Sequence, residues 1–149
     1  MPILNVKISL PASEKLALEV AETLLELTTR ILHKKRELTS IAIVYVAPEH
    51  WIVGGSSLAV QGKNSFYVDI KVVDGTNTKD EKAQYISETF AAFGKLLGKV
   101  HEESYIYIHD VRAEAYGFGG LTQEYRYIQA KLDAAGKPHD ALPGAQRAA

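Results

Sequence analysis

Leu4, Val6, Ile8 and Leu10 alternate with Asn5, Lys7 and Ser9, the two-residue period of a strand with one buried face. Pro11 interrupts it. Ser13, followed by Glu14, is placed as a helix N-cap, and Leu16, Val20, Leu24, Leu27 and Ile31 then recur at helical spacing. Lys34, Lys35 and Arg36 fall near the helix end, where cations complement the dipole. The β-branched run at 40–46 predicts a well-buried strand. Ala47-Pro48-Glu49 turns the chain, and His50-Trp51-Ile52-Val53-Gly54-Gly55 reads as a short extended piece. A strand, a helix and a second strand predict a parallel strand pair.

The same order then recurs. Val68-Asp69-Ile70-Lys71-Val72 echoes Leu4-Asn5-Val6-Lys7-Ile8 at a shift of 64. Thr78 and Glu81 have the spacing of a capping box, opening a helix with an expected apolar stripe of Ile86, Phe90, Phe93, Leu97 and Val100. Gly94 and Gly98 inside that pattern predict close packing. Residues 104–108 match the strand at 40–44, and Tyr116-Gly117-Phe118-Gly119-Gly120 matches Trp51-Ile52-Val53-Gly54-Gly55 at a shift of 65. Four matches in register point to an internal duplication.

The chain therefore reads as one domain over 1–149: two β-α-β units at about 2–55 and 66–120, a linker at 56–65, and a C-terminal arm and tail at 121–149. The arm, Leu121 to Leu132, is a short helix or packing segment, and the tail from about Gly136 is loose. The fold class is α/β (α+β), with a four-stranded sheet and two helices on one face. The other face is left bare, and oligomerisation is the expected cover.

A hydrophobic content of 46% and a charged content of 23% suit a globular protein with a sizeable core. The net charge of -1 argues against a general nucleic-acid binder. With no cysteine there is no disulfide, thiol nucleophile or cysteine-held metal. No apolar run approaches a membrane span, and no signal-peptide pattern opens the chain, so the expected location is cytoplasmic. The five histidines show no metal-ligand spacing.

Pro2 has two readings. It can simply start a strand, where its missing N–H costs little. If Met1 is removed, it instead exposes a secondary amine at the strand's mouth. An α-amine has a pKa of about 8, and burial lowers it, which suits proton transfer near neutrality.

Met1-Pro2-Ile3, Leu38-Thr39-Ser40-Ile41, His50-Trp51 with Gly54-Gly55, and the repeat at Tyr116 to Gly120 together resemble the tautomerase superfamily, the family of 4-oxalocrotonate tautomerase. The resemblance spans about 2–120 and is to fused two-unit members. It implies a tautomerase-like fold, a homotrimer, no cofactor, and catalysis by Pro2 once Met1 is gone. Phe66 stands where Pro2 recurs, so one catalytic amine per chain is expected. The arginines that the resemblance leads one to expect are absent. The first-strand turn reads Pro11-Ala12-Ser13-Glu14, the second-strand position is Ala42, and the third-strand turn runs from Val72 to Thr76.

The implied activity is keto-enol isomerisation of a small carbonyl acid with Pro2 as general base. The alternatives are a dehalogenase, hydratase or decarboxylase using protonated Pro2 as acid on an unsaturated acid, and a non-catalytic trimeric ligand-binding protein. Trp51 and Tyr116 occupy the aromatic place of the pocket, or are plain core or interface aromatics. Tyr107 is a candidate donor to an oxyanion or a structural tyrosine. Arg112 is the best placed cation for substrate, with a surface pair to Asp110 or Glu114 as its competitor. Glu114 is the candidate for activating water or a solvated loop carboxylate. Lys7 and Lys71 recur as rim or interface charges. His109 and Asp110, adjacent on a strand, face opposite sides.

Overall fold

The structure, a computed structural model, describes residues 1–136. The expected tail therefore lies, past Gly136, outside the described residues. The first unit is β1 (Ile3–Ile8), α1 (Glu14–Leu32) and β2 (Ser40–Tyr45), followed by a small hairpin of β3 (Ile52–Val53) and β4 (Ser56–Ser57) and a helical turn α2 (Leu58–Gln61). The second is β5 (Phe66–Val73), α3 (Lys79–Leu97) and β6 (Tyr105–Val111), followed by β7 (Gly117–Phe118), β8 (Leu121–Thr122) and the longer α4 (Gln123–Ala134). The segment read as a linker thus holds β4 and α2. The repeat runs past Gly55 and Gly120 into these elements.

The sheet order is β2-β1-β5-β6, with both outer pairs parallel and the central pair antiparallel. Ile3 lies opposite Ser40 and Tyr67 opposite Tyr105, so β5 follows β1 at a shift of 64 while β6 follows β2 at 65, one residue on from the match read between 104–108 and 40–44. At the centre Asn5 faces Asp69, its own counterpart at shift 64, so the units are related by a two-fold through that pair. The start of each unit's first strand therefore lies at the end of the other's.

Alternation works as expected in the central strands. Leu4, Val6 and Ile8 of β1 and Phe66, Val68, Ile70 and Val72 of β5 are buried against one core with Val20, Leu24, Leu27 and Ile31 of α1. Ser13 caps α1 by accepting from the Leu16 N–H at 3.2 Å, and both bonds of the Thr78–Glu81 capping box form at α3.

Three local expectations are corrected. β2 is only half-buried, with Val44 55% exposed, because it is an edge strand covered on one face. The stripe of α3 turns on Tyr85, Thr89, Phe93 and Leu97, leaving Ile86 41% exposed. The Tyr85 hydroxyl makes this possible by bonding Thr28 Oγ1 across the helix interface at 3.0 Å, which satisfies a buried polar group that hydropathy counts against burial. Gly94 has open space where a Cβ would stand, and Gly98 ends α3 at φ +62, so backbone geometry rather than close packing accounts for the latter.

Among the described residues no helix covers the second sheet face. Tyr105 and Tyr107 are exposed there, and Asp69 gathers Lys71 Nζ at 2.9 Å and His109 Nε2 at 3.2 Å. Asp110 turns the other way to Lys82 at 2.5 Å, so His109 and Asp110 do part to opposite faces.

Candidate active site

Pro2 is buried immediately before β1, and its carbonyl accepts from the Ser40 N–H at 3.2 Å. Because β1 runs antiparallel to β5, this end of the sheet also holds the end of β5 and, beside it, the end of β6. The chain leaving β6 makes a short 3-10 turn at Ala113–Ala115 and then the β7–β8 hairpin, closed by Gly119 and Gly120 at φ +59 and +77. That path brings Tyr116 of the second unit to the first residues of the first. Its hydroxyl donates to the Met1 carbonyl. The Met1 carbonyl carbon is bonded to the Pro2 nitrogen, so the phenol lies within about 5 Å of that nitrogen.

The amine at this end is perturbed. Burial, and then the nearby Lys34 cation, hold the Met1 α-amine below its ordinary pKa. Lys34 donates to Thr76 Oγ1 at 2.8 Å and is itself pushed down by burial, against the opposing pull of Glu81 and Asp110. Burial pushes the Tyr116 phenol up, with a backbone hydrogen bond from Ile3 working the other way. A phenol so shifted stays protonated near neutrality and remains a donor.

Met1 stands on the wall of a cleft of about 830 Å³, with Leu38, Val73, Phe118, Arg126 and Tyr127 among its other lining residues. The size suits a small organic ligand. Lys35, Asp74 and Glu124 give the wall mixed charge.

Of the residues singled out from sequence, Tyr116 and Pro2 come together. Trp51 lies at the far end of β1, in a cleft of about 360 Å³ with Lys7, Tyr67 and Tyr105, because the two-fold sends the first unit's hairpin to the start of β5. Within one chain, Trp51 is therefore the partner of Phe66's end of the sheet rather than of Pro2's. Tyr107 stands on the open sheet face with its ring 3.8 Å from that of His109. Arg112 is 81% exposed and, among the described residues, reaches only Glu114, at 3.5 Å. Glu114 also lines a shallow cleft with Tyr116 and Phe118.

Lys34, Thr76 and Arg126 were not singled out as site residues. Arg126 was the most legible of the three: at the hairpin's own shift of 65 it falls on Gln61, a change from amide to cation. The contact of Lys34 with Thr76 joins residues 42 apart and carries no local sequence signal.

No protein-family model matches the chain, and no curated protein matches it in sequence. Solved structures do. A native fused 4-OT (4-oxalocrotonate tautomerase) superimposes with a TM-score of 0.73 at 18% identity, covering 83% of this chain and 97% of that one. A fused 4-OT described as a wild-type symmetric trimer gives 0.71 at 19% identity, over 82% of this chain and 96% of that one. A macrophage migration inhibitory factor-like protein from Entamoeba histolytica gives 0.67 at 16% identity, over 81% and 97%. The chain has the fold that these proteins share, and the expectation of a fused, duplicated tautomerase-like architecture is met.

Proposed function

We propose that the chain is a tautomerase-superfamily enzyme, working as a homotrimer, in which Pro2 freed of Met1 moves a proton between two atoms of a small carbonyl acid. The observation that carries this reading is a phenol beside the Pro2 nitrogen, next to a Met1 that lines a cleft and whose own α-amine is depressed by burial. The neutral amine takes a proton from the carbon next to the carbonyl, or from the enol hydroxyl in the reverse sense. Tyr116 donates to the oxygen that gathers negative charge. The amine then returns its proton to the other atom, and no electron leaves the substrate. Cofactor chemistry is not needed for this exchange.

A trimer would cover the open sheet face with its exposed Tyr105 and Tyr107, and the fused 4-OT structures of the same fold include described trimers. A hydrolytic reading finds less support, since Glu114, the candidate for activating water, pairs with Arg112 in solvent.

The test is ketonisation of phenylenolpyruvate by protein whose mass shows Met1 removed. A rate well above that of buffer supports the reading, and a rate equal to buffer overturns it. The amine must be neutral to act, so kcat/KM should rise with pH as it deprotonates and then level off. Lys34 lowers the pKa of the Met1 amine by repelling its ammonium, and the same repulsion is expected at the Pro2 amine one residue on. Lys34→Gln should therefore move the rising limb to higher pH and leave the plateau in place, as read from a pH–rate profile. A limb that stays where it is would remove Lys34 from the account.

A further inference from the structure

The hairpin-helix unit occurs twice, and the copies do the same structural work. In the first, Leu58 N–H donates to Trp51 O at 2.9 Å; in the second, Gln123 N–H donates to Tyr116 O at 2.8 Å. Ser57 caps α2 through Val60 N–H, and Thr122 caps α4 through Tyr125 N–H. Gln61 Nε2 then donates to Val53 O at 3.0 Å, and Arg126 Nη2 donates to Phe118 O at 2.9 Å. The pairs are related by the shift of 65 throughout. Gln61 shows that a neutral amide suffices to tie the helix to the hairpin carbonyl. The positive charge of Arg126 therefore exceeds what that tie requires.

The surroundings of Arg126 hold the charge ready for a ligand. Its guanidinium lies 3.7 Å from the centre of the Phe118 ring, which fixes the plane of the fork. Its Nε is buried and has no hydrogen-bond partner among the described residues, and neither has the buried Nε2 of neighbouring Gln123. Both residues line the cleft that holds Met1. Asp74 and Glu124 stand on the same wall, yet among the described residues no carboxylate comes within ion-pair distance of Arg126. A Cβ on Gly119 would stand 2.8 Å from Arg126 Nη2, so the glycine keeps the path of the side chain open.

We propose that Arg126, assisted by Gln123, is the carboxylate-recognition site of this cleft and makes the protein select substrates bearing a carboxylate. Two donors without partners and a planar cation present the fork that carboxylate recognition uses. The proposal deepens the Pro2 reading and rests on it only for the claim that the bound acid is a substrate.

The experiment measures the affinity of demethionylated protein for cinnamate and for cinnamamide, its uncharged analogue, by titration calorimetry. Arg126→Gln reproduces the residue that the first copy uses and keeps a donor for Phe118 O. It should weaken cinnamate binding about tenfold, leave cinnamamide within twofold, and leave the unfolding midpoint unchanged. Arg126→Lys should recover part of the loss, since it restores charge without the fork. Equal affinities of wild type for the two ligands, an unchanged cinnamate affinity in Arg126→Gln, or equal losses for both ligands would each overturn the proposal. Ketonisation by the same variants separates the two readings. If blocking the Pro2 amine leaves the rate intact while Arg126→Gln still loses cinnamate, the proline base falls and the anion site stands. If blocking abolishes the rate while cinnamate binding ignores Arg126, the reverse holds.

Discussion

A form of the protein with any residue left in front of Pro2 should ketonise phenylenolpyruvate no faster than buffer, although it folds and assembles as the processed form does. The reason is electronic. Acylation turns the proline nitrogen into a tertiary amide whose lone pair is delocalised into the carbonyl, and such a nitrogen does not accept a proton near neutrality. The Met1 carbonyl also takes up the Tyr116 hydroxyl, so the group proposed to steady the enolate is occupied until Met1 leaves. Pro2→Ala in the processed form is the finer probe. It retains an α-amine, but a primary one without the ring that fixes its direction toward the cleft. A loss in kcat/KM of about 10²–10⁴, the usual contribution of a positioned acid–base group, is expected, with the unfolding midpoint little changed. Equal rates for Pro2→Ala and wild type would reject proline as the base. Full activity with the amine blocked would reject amine catalysis altogether.

The elements were legible wherever a single local rule decided them. Alternation placed Leu4, Val6 and Ile8 in the core, and the Thr78–Glu81 spacing found a helix start whose two reciprocal bonds both form. The duplication was legible because strand, helix, strand and hairpin recur in the same order at a nearly constant shift, and it led directly to the four-stranded sheet. What was not legible depends on how the copies meet. Nothing in the periodicity of β1 or β5 states that the two pair antiparallel about Asn5 and Asp69. That pairing alone decides that Tyr116, and not Trp51, comes to Pro2. The same rule brings α4, and hence Arg126, over the amino-terminal cleft, while its shorter counterpart α2 serves the Phe66 end. Tyr85 misled for a different reason. A hydroxyl satisfied by Thr28 is buried without penalty, and its partner lies 57 residues away.

Phe66→Ala should then cost stability rather than catalysis, although Phe66 occupies the position in the second unit that Pro2 occupies in the first. The nitrogen of Phe66 is an ordinary internal amide, since β5 is preceded by Ser65 and the rest of the first unit. Its side chain has been turned to packing. It is fully buried, stacked on Phe93 with ring centres 4.2 Å apart and planes at 22°, and tilted against Phe90 at 5.8 Å. Removing the ring forfeits transfer free energy and leaves a hole that Phe93, itself fully buried, is too well held to fill. A loss of about 3–5 kcal/mol is expected in urea unfolding of the variant against wild type. Phe66→Leu, which keeps most of the volume, should lose less than half as much. Per folded molecule, kcat should stay near wild type in both, because the amine proposed as the base sits at the other end of the two-fold. A loss below about 1 kcal/mol would mean that the core closes over the missing ring. A loss of kcat without one of stability would mean that the two ends of the sheet are not divided between chemistry and packing as the pairing of Asn5 with Asp69 implies.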